Sequence, residues 1–342
     1  MTKKMCYNEL KMVVFKEGDS MMKRIKSFAT TILGILMVTV SAMGVFACTR
    51  QEEAPQSFVC EETNLTMELS EDKSFYSVTD CPEDKTEVAV KESYYGKPVE
   101  AISESAFEGC ENLTKLSIPD CMRSISDKAL SACKKLEYTE MERAKYLGNE
   151  QNPYVYLAKY ISKDVTGVAV ENSCKAIGNF AFRACSKLTN VILPEGLLSI
   201  GMSAFQGCNF TSINLPNSLK NIDSAAFAYC KQLRSIDIPD GVTKILPNTF
   251  NDCTQLASVT IPDGVTVIGM SAFSSCNKLS SISIPASVKS IGPEAFYYCT
   301  HLESINFDGT KAKWWKVEKG NLWAYSILAE EIVCTDGTVK IF

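Results

Sequence analysis

A phenylalanine followed three residues later by a cysteine recurs along this chain at intervals of 22 or 23 residues. Two earlier copies lie at Phe107/Cys110 and at Leu130/Cys133, where leucine takes the aromatic position. A constant period of this length is typical of a solenoid, in which each repeat is one turn that stacks only on its neighbours. The uninterrupted series consists of Phe182/Cys185, Phe205/Cys208, Phe227/Cys230, Phe250/Cys253, Phe273/Cys276 and Phe296/Cys299.

The repeat has the form L-x-x-I-x-I-P-x-x-V-x-x-I-G-x-x-A-F-x-x-C, as in residues 256–276. Its opening alternates and is β-branched, which predicts a short strand that Pro262 ends because proline cannot donate a ladder hydrogen bond. The V-x-x-I segment predicts a second short strand, and the segment from Gly269 to Cys276 predicts one helical or 3-10 turn. The sequence therefore predicts a β-rich solenoid of short parallel strands, with one such turn in each repeat of roughly 23 residues and a cap at both ends.

The cysteines of the repeat are predicted to be reduced core residues, although a chain with 15 cysteines could also carry disulfides. Equivalent side chains on successive turns point the same way, and parallel Cβ vectors do not favour the disulfide dihedral. A metal site is not expected because 23-residue intervals without histidine match no ligand pattern. A disulfide between Cys60 and Cys81, which flank the predicted N-terminal cap, remains open.

The predicted organisation places an N-terminal cap and first strand at 58–100, repeats at 101–306 and a C-terminal cap at 307–342. An irregular insert at about 138–172 interrupts the repeats, since Cys133 and Cys185 are 52 residues apart. The insert is either a divergent turn of the solenoid or a hairpin that serves as a binding appendage. In the C-terminal cap we expect Trp314 and Trp323 to cover the core, and Trp315 to be exposed.

These repeats resemble the BspA-like leucine-rich repeats of bacterial surface proteins, over roughly residues 58–342. The resemblance rests on I-P-x-x-V-x-x-I-G-x-x-A-F-x-x-C, on the entry segment 94–102 and on the exit segment 307–314. It implies a leucine-rich-repeat solenoid on the bacterial surface, of a type associated with adhesion to host matrix proteins and to other cells. It does not imply a ligand, because no binding motif of the family is fixed enough to transfer.

Residues 1–47 are predicted to be a signal peptide, because the basic segment 23–26 precedes an apolar run over 28–47. The run is also about long enough for a retained membrane anchor. A start at Met21 or Met22 fits such a signal better, which leaves the translation of residues 1–20 open. The polar stretch 48–57 is predicted to be a tether.

Cys48 is the predicted lipidation site. It follows Val45-Phe46-Ala47, so it would be the first residue after cleavage, as in a bacterial lipobox. Phe46 departs from the usual lipobox, and ordinary cleavage without lipidation is the alternative. The predicted localisation is export to the cell surface or outer membrane, with attachment to the membrane through a lipid anchor.

No catalytic or cofactor-binding motif is recognisable in the chain. The one histidine, His301, stands near Cys299, but the cysteine belongs to the core series and burial would raise its pKa. The net charge of −5 gives no reason to expect a nucleic-acid partner, which would call for a basic domain. We therefore expect neither an enzyme nor a cofactor.

The register of the first strand predicts a face of small polar side chains. Such side chains suit extended peptides or glycans, but they would also stack comfortably for structural reasons alone. We expect a non-catalytic protein that binds macromolecules, with adhesion to host matrix or cell-surface proteins as the first hypothesis; capture of glycans or peptides and a structural role in the envelope are the alternatives. The face consists of Ser212, Ser235, Ser258, Ser281, Ser304, Asn214, Asp237, Thr260, Ser283 and Asn306.

Overall fold

The structure, a computed structural model, describes residues 53–126 and 128–341. The predicted signal peptide and the predicted lipidation site at Cys48 lie outside these residues. From Ala54 onward the chain forms one compact unit. Within the described ranges, no helix combines the length and the apolar character that crossing a membrane requires.

The N-terminal region begins with an antiparallel meander and then changes to parallel pairing. The first three strands pair antiparallel in chain order, and the third pairs parallel with the sixth, which begins the solenoid. The strands are β1 (Ser57–Val59), β2 (Thr66–Leu69), β3 (Tyr76–Asp80), β4 (Glu87–Ala89), β5 (Ser93–Tyr94) and β6 (Lys97–Ile102).

The repeats supply strands of two to four residues. They are β7 (Lys115–Ser117), β8 (Ser124–Ile125), β12 (Gly167–Ala169), β13 (Ala176–Ile177), β14 (Asn190–Ile192), β15 (Ser199–Ile200), β16 (Asn221–Ile222), β17 (Ser235–Asp237), β18 (Lys244–Ile245), β19 (Ser258–Thr260), β20 (Val267–Ile268), β21 (Ser281–Ile284), β22 (Ser290–Ile291), β23 (Ser304–Phe307) and β24 (Glu318–Lys319). Between β8 and β12 the insert contributes β9 (Thr139–Met141), β10 (Ala144–Leu147) and β11 (Tyr156–Tyr160).

Parallel pairing between successive turns sorts these strands into two columns, as predicted. The first column contains the pairs β4–β7, β12–β14, β17–β19 and β21–β23. The second contains β13–β15–β16 and β18–β20–β22–β24. The predicted β-solenoid of short parallel strands is confirmed.

The third segment of each repeat is a series of tight turns rather than the predicted helical or 3-10 turn. Alternate amide groups donate within the turn, as Cys276 does to the Phe273 carbonyl at 3.2 Å. The amides between them donate to the next repeat, as Phe273 does to Ala295 at 2.8 Å. Ser271 and Ser275 have φ of 51° and 60°, a left-handed conformation that interrupts helix formation. These alternating bonds tie each turn to its neighbour on a third side of the solenoid.

The repeated phenylalanines form one stack through the core. All six are fully buried, and consecutive rings lie 5.1 to 5.7 Å apart with interplanar angles of 2° to 13°. Phe210 replaces the strand-opening leucine of the short repeat, and its ring meets Phe205 and Phe227 edge-on at 5.9 and 6.3 Å. The stack joins neighbouring repeats, because no single repeat can bury its own phenylalanine.

The insert is an antiparallel hairpin built into the core. Strand β10 pairs with β11, and β11 then pairs parallel with β13, which returns the chain to the second column. Tyr146 and Leu157 belong to the hydrophobic cluster on one side of the hairpin, whereas Leu147 and Tyr156 belong to the cluster on the other side. Because all four side chains are buried, the hairpin strands act as a wall between two cores.

A cap of mixed structure covers the C-terminal end. It consists of the short helix α1 (Lys311–Trp314) and the antiparallel strands β25 (Glu331–Cys334) and β26 (Gly337–Lys340), with β25 parallel to β23. The ring of Trp323 meets that of Phe296 edge-on at 6.2 Å, which ends the phenylalanine stack. Trp314 and Trp323 are buried, as expected, and Trp315 is 70% exposed.

Candidate functional site

The predicted binding residues lie on the outward side of the first strand column. Parallel register places Ser235 beside Ser258, and Ser281 beside Ser304, on neighbouring turns. Asp237 lies beside Thr260 in the same way. We call the ten residues predicted above the serine face. Eight are exposed, and Ser304 and Asn306 are partly exposed.

Most polar groups of the serine face are available to a ligand. Within the described part of the chain, the one side-chain hydrogen bond made by these ten residues joins the Thr260 hydroxyl to Asp237 Oδ1 at 2.6 Å. The Ser235, Ser258 and Ser281 hydroxyls make no intramolecular bond there. Free hydroxyl and amide groups at the spacing of a parallel sheet can donate and accept along an extended ligand.

The serine face is not continuous as a sheet. The turn that carries Ser212 and Asn214 has no strand, because this repeat is one residue short. Strands β19 and β21 are adjacent but belong to different hydrogen-bonded sheets. The side chains nevertheless follow one side of the solenoid, since the buried residue between each pair, such as Ile236 or Ile282, fixes the outward direction of both.

A groove lies farther along the same column, where the hairpin interrupts the repeats. Its volume is about 670 Å³. Outward residues of β4 and β7, including Glu87 and Lys115, form its floor, and Tyr138 contributes to its wall. Exposed Glu150 and Gln151 in the hairpin loop form the rim. A ligand that followed the first column toward the N-terminus would meet a concave surface of mixed polar and apolar character at this point.

The loop at the rim of the groove is held by side-chain hydrogen bonds. Asn149 Nδ2 donates to the Ile118 carbonyl at 3.0 Å and to Asp120 at 2.9 Å, while its Oδ1 accepts the amide of Gln151 at 3.1 Å. Asn152 Nδ2 donates to the Ser173 carbonyl at 3.0 Å. These contacts fix the groove in advance of any ligand, which lowers the entropic cost of binding.

A patch of exposed tyrosines was missed by the sequence analysis. Tyr297 and Tyr325 stack at 5.5 Å with an interplanar angle of 19°, and Tyr298 lies 4.6 Å from Tyr297. Tyr298 and Tyr325 are 45% and 47% exposed. Tyr297 and Tyr298 occupy the two variable positions between Phe296 and Cys299, and Tyr325 belongs to the C-terminal cap. Aromatic residues at those positions were the signal that could have revealed the patch.

Cys299 and His301 are not arranged as a catalytic pair. Cys299 is buried, its thiol donates to the Phe273 carbonyl at 3.0 Å, and burial raises its pKa to about 12. The exposed His301 ring contacts Thr300 at 3.3 Å. Among the residues that the structure describes, no group of three or more His, Cys, Asp and Glu side chains could hold a metal ion.

Stacked short parallel strands with repeated phenylalanine and cysteine positions define the class of leucine-rich-repeat solenoids. The family model described as "BspA type Leucine rich repeat region" matches six copies, at residues 87–151, 158–246 and 222–314. These ranges cover more than half of the chain, which therefore belongs to the BspA-type leucine-rich-repeat family. Proteins of this family are generally non-catalytic and are typically surface-exposed or secreted.

Several solved structures are similar to this chain. A leucine-rich repeat protein from Bacteroides ovatus is 25% identical and has a TM-score of 0.39, with 82% of this chain and 71% of that chain covered. A leucine-rich repeat protein from T. pallidum is 24% identical and has a TM-score of 0.31, with 63% of this chain and 87% of that chain covered. The pneumococcal vaccine antigen PcpA is 13% identical and has a TM-score of 0.33, with 83% of this chain and 89% of that chain covered. Because these TM-scores are low, the family assignment rests on the repeat match; no curated protein matches the chain.

Proposed function

We propose that the chain is a non-catalytic surface protein that binds macromolecules along the serine face, and that its role is adhesion to host matrix or cell-surface proteins. The observation that carries this proposal is the row of exposed hydroxyl and amide groups on adjacent turns, most of which have no intramolecular partner. A row of this kind suits an extended segment, which can form a hydrogen bond at each turn. Capture of glycans is the second candidate, since hydroxyl-rich ligands use the same donors and acceptors.

The proposal is tested by placing two negative charges on the face. The full chain is measured against immobilised matrix proteins, with a glycan array beside them, and then compared with the double variant Ser235→Glu/Ser258→Glu. Both serines are exposed, so the variant should stay folded and lose no more than about 1 kcal/mol to the repulsion between the two neighbouring carboxylates. We expect at least a tenfold loss of affinity, because glutamates side by side obstruct the face and repel each other.

The control carries the same two substitutions on another side of the same region. Asn221 and Thr243 are exposed; Asn221 begins β16 of the second column, and Thr243 directly precedes β18 of that column. Asn221→Glu/Thr243→Glu should bind as the wild type does. Equal affinity of the wild type and the serine variant, or equal losses in both variants, would show that the serine face is not the binding surface. Binding to glycans alone would favour the second candidate.

We also propose export and attachment to the membrane through lipid on Cys48, on the sequence pattern alone. In a bacterial host, the intact mass of the membrane-extracted protein would show cleavage before Cys48 and the added acyl chains. Cys48→Ser should abolish both the lipid and the membrane attachment, while ligand binding by the released protein should be unchanged. An unmodified Cys48 in the exported wild type would contradict the lipid anchor.

A further inference from the structure

Two thiols meet where the N-terminal meander joins the first repeat. Cys81 directly follows strand β3, and Cys110 ends the first Phe-x-x-Cys segment. Both side chains are buried, with exposures of 2% and 0%. The Cys81 thiol lies 3.6 Å from the Pro82 carbonyl, and the Cys110 thiol lies 3.7 Å from the same carbonyl. The Cys110 thiol also lies 3.7 Å from the carbonyl of Cys81 itself.

This arrangement differs from that of the cysteines farther along the solenoid. Six of the repeat thiols donate to the phenylalanine carbonyl of the preceding turn, as Cys230 does to Phe205 at 3.1 Å and Cys253 does to Phe227 at 3.2 Å. The seventh, Cys185, donates to the Ser162 carbonyl at 3.8 Å. Cys110 has no preceding repeat, and the nearest carbonyls that its thiol meets lie at 3.7 Å, on Cys81 and Pro82. The Cys81 thiol lies against the same Pro82 carbonyl, which brings the two side chains to one place.

The position of Cys81 outside the repeat register distinguishes this pair from the others. The repeat cysteines share one turn conformation, so their Cβ atoms point the same way and disfavour the disulfide dihedral. Cys81 enters from the end of a strand and precedes Cys110 by 29 residues instead of 22 or 23, so it is free of that constraint. We propose that Cys81 and Cys110 form a disulfide that joins the N-terminal meander to the first repeat.

Cys60, the partner left open by the sequence, is engaged elsewhere. The Tyr94 hydroxyl donates to the Cys60 sulfur at 3.2 Å. Cys60 and Cys81 are both free thiols in the structure, as is Cys110. The pairing proposed here therefore replaces Cys60–Cys81 with Cys81–Cys110.

The oxidation is a thiol–disulfide exchange with a small-molecule disulfide such as oxidised glutathione. One cysteine thiolate attacks a sulfur of glutathione disulfide, which releases one glutathione thiol and leaves a mixed disulfide. The second cysteine thiolate then attacks the mixed disulfide and releases the second glutathione thiol. Two protein thiols are oxidised to one disulfide, and one glutathione disulfide is reduced to two thiols, so protons and electrons balance.

Burial determines when this exchange takes place. It raises the pKa of both thiols, which lowers the thiolate fraction in the folded protein. The exchange should therefore occur during folding, before the meander closes over the pair, and the completed bond should resist reduction. In the cell, formation of the disulfide rests on the proposed export, because the reducing cytosol would keep both thiols reduced.

The test uses the full chain with Cys6 and Cys48 replaced by serine, so that cysteines outside the described residues do not interfere. The protein is refolded in a mixture of reduced and oxidised glutathione, and it is then unfolded in denaturant so that the buried free thiols can be alkylated. Peptides are mapped by mass spectrometry without reduction. We expect one cross-linked peptide pair, which contains Cys81 and Cys110, and alkylation of the other cysteines. The oxidised protein should melt several degrees above the reduced protein, because the bond closes a loop in the unfolded chain.

Two variants separate this pair from the repeat cysteines. Cys81→Ser should leave every remaining cysteine alkylated and should remove the difference between the oxidised and reduced melting temperatures. Cys253→Ser, which also removes one buried thiol, should retain the Cys81–Cys110 peptide. A wild-type map without this peptide, or with cross-links spread along the repeat cysteines, would overturn the proposal. Because refolding in vitro needs neither export nor a ligand, failure here would leave the proposed binding function untouched.

Discussion

The Cys253 thiol donates a hydrogen bond to the main-chain carbonyl of Phe227 on the preceding turn, at a distance of 3.2 Å. The same carbonyl accepts the amide of Cys230 at 3.2 Å. Equivalent thiol contacts, of 3.0 to 3.3 Å, recur at Cys208, Cys276 and Cys299. The cysteine thus joins one turn to the next through its side chain, which gives a physical reason for a cysteine at this position of the repeat.

Replacing Cys253 by alanine should destabilise the protein by about 1–3 kcal/mol. The substitution removes the thiol hydrogen bond and leaves a small cavity, whereas the Phe227 carbonyl keeps the Cys230 amide and is not left unsatisfied. Urea denaturation of the full chain measures the difference. Ser281→Ala, on the exposed face, is the matched control and should change stability by no more than about 0.5 kcal/mol. Equal midpoints for both variants would show that the thiol contact contributes nothing.

Phe227→Ala should cost more, roughly 3–5 kcal/mol. The ring is fully buried and lies 5.7 Å from Phe205 on one side and 5.7 Å from Phe250 on the other, so its removal leaves a cavity between two turns. Phe227→Leu should cost less, because leucine fills part of this space, as Leu130 does in its own repeat. Unfolding midpoints in urea test both variants. An unchanged midpoint for the alanine variant would contradict the phenylalanine stack.

The buried thiols predict a loss of stability at alkaline pH. Burial raises the pKa of Cys299 from 9.0 to about 12 and that of Cys133 to about 11. Above pH 9 the unfolded chain releases these protons and the folded chain keeps them, so the free energy of unfolding falls as pH rises. Each such thiol lowers the free energy of unfolding by up to about 1.4 kcal/mol per pH unit over this window, and it has no effect below about pH 8.

Urea denaturation at pH 8, 9, 10 and 11 measures this dependence. Cys299→Ala lacks one of the thiols, so its free energy of unfolding should fall less steeply with pH than that of the wild type above pH 9. The two slopes should differ by up to about 1.4 kcal/mol per pH unit, the value for one proton. The exposed variant Ser281→Ala should keep the wild-type slope. Parallel curves for Cys299→Ala and the wild type would contradict burial as the cause of the raised pKa.

The periodic part of the structure could be predicted from the sequence because each repeat meets the same surroundings. One burial rule for Phe227 holds for Phe250 and Phe273, and it fixes which neighbouring residues point outward. The exposed positions of Ser235 and Ser258 follow from the same register. Neither a binding role for this face nor the identity of a ligand could be predicted, since small polar side chains also stack without any ligand.

The remaining features depend on local conformations that the repeated sequence pattern does not specify. Ser271 and Ser275 adopt left-handed backbone angles that non-glycine residues seldom adopt, so a helical turn was the natural expectation. The insert was ambiguous because Tyr146 and Leu147 are both apolar and face different cores. The contact between Cys81 and Cys110 arises from the end of β3, which no repeat specifies.

The first repeat is held partly by an ion pair, and removal of its cation should be costly. Arg123 Nη2 lies 2.7 Å from Oε1 of Glu100, whose side chain is 9% exposed. Burial raises the pKa of Glu100, and Arg123 opposes that change. Arg123→Met leaves a buried carboxylate without its cation and should cost about 1–3 kcal/mol at pH 7.5. Because Glu100 has a raised pKa in the folded state, it becomes protonated as pH falls, and the cost of the variant should shrink toward pH 5.

Thermal unfolding at pH 5 and pH 7.5 measures this loss, and a second substitution separates charge from packing. In the double variant Glu100→Gln/Arg123→Met no charge is left buried, so most of the stability lost at pH 7.5 should return. The exposed pair Lys187 and Asp164, which are 2.8 Å apart, provides the control, since Lys187→Met should change stability little at either pH. A loss for Arg123→Met that is the same at both pH values and persists in the double variant would assign the effect to the arginine's packing instead of its charge.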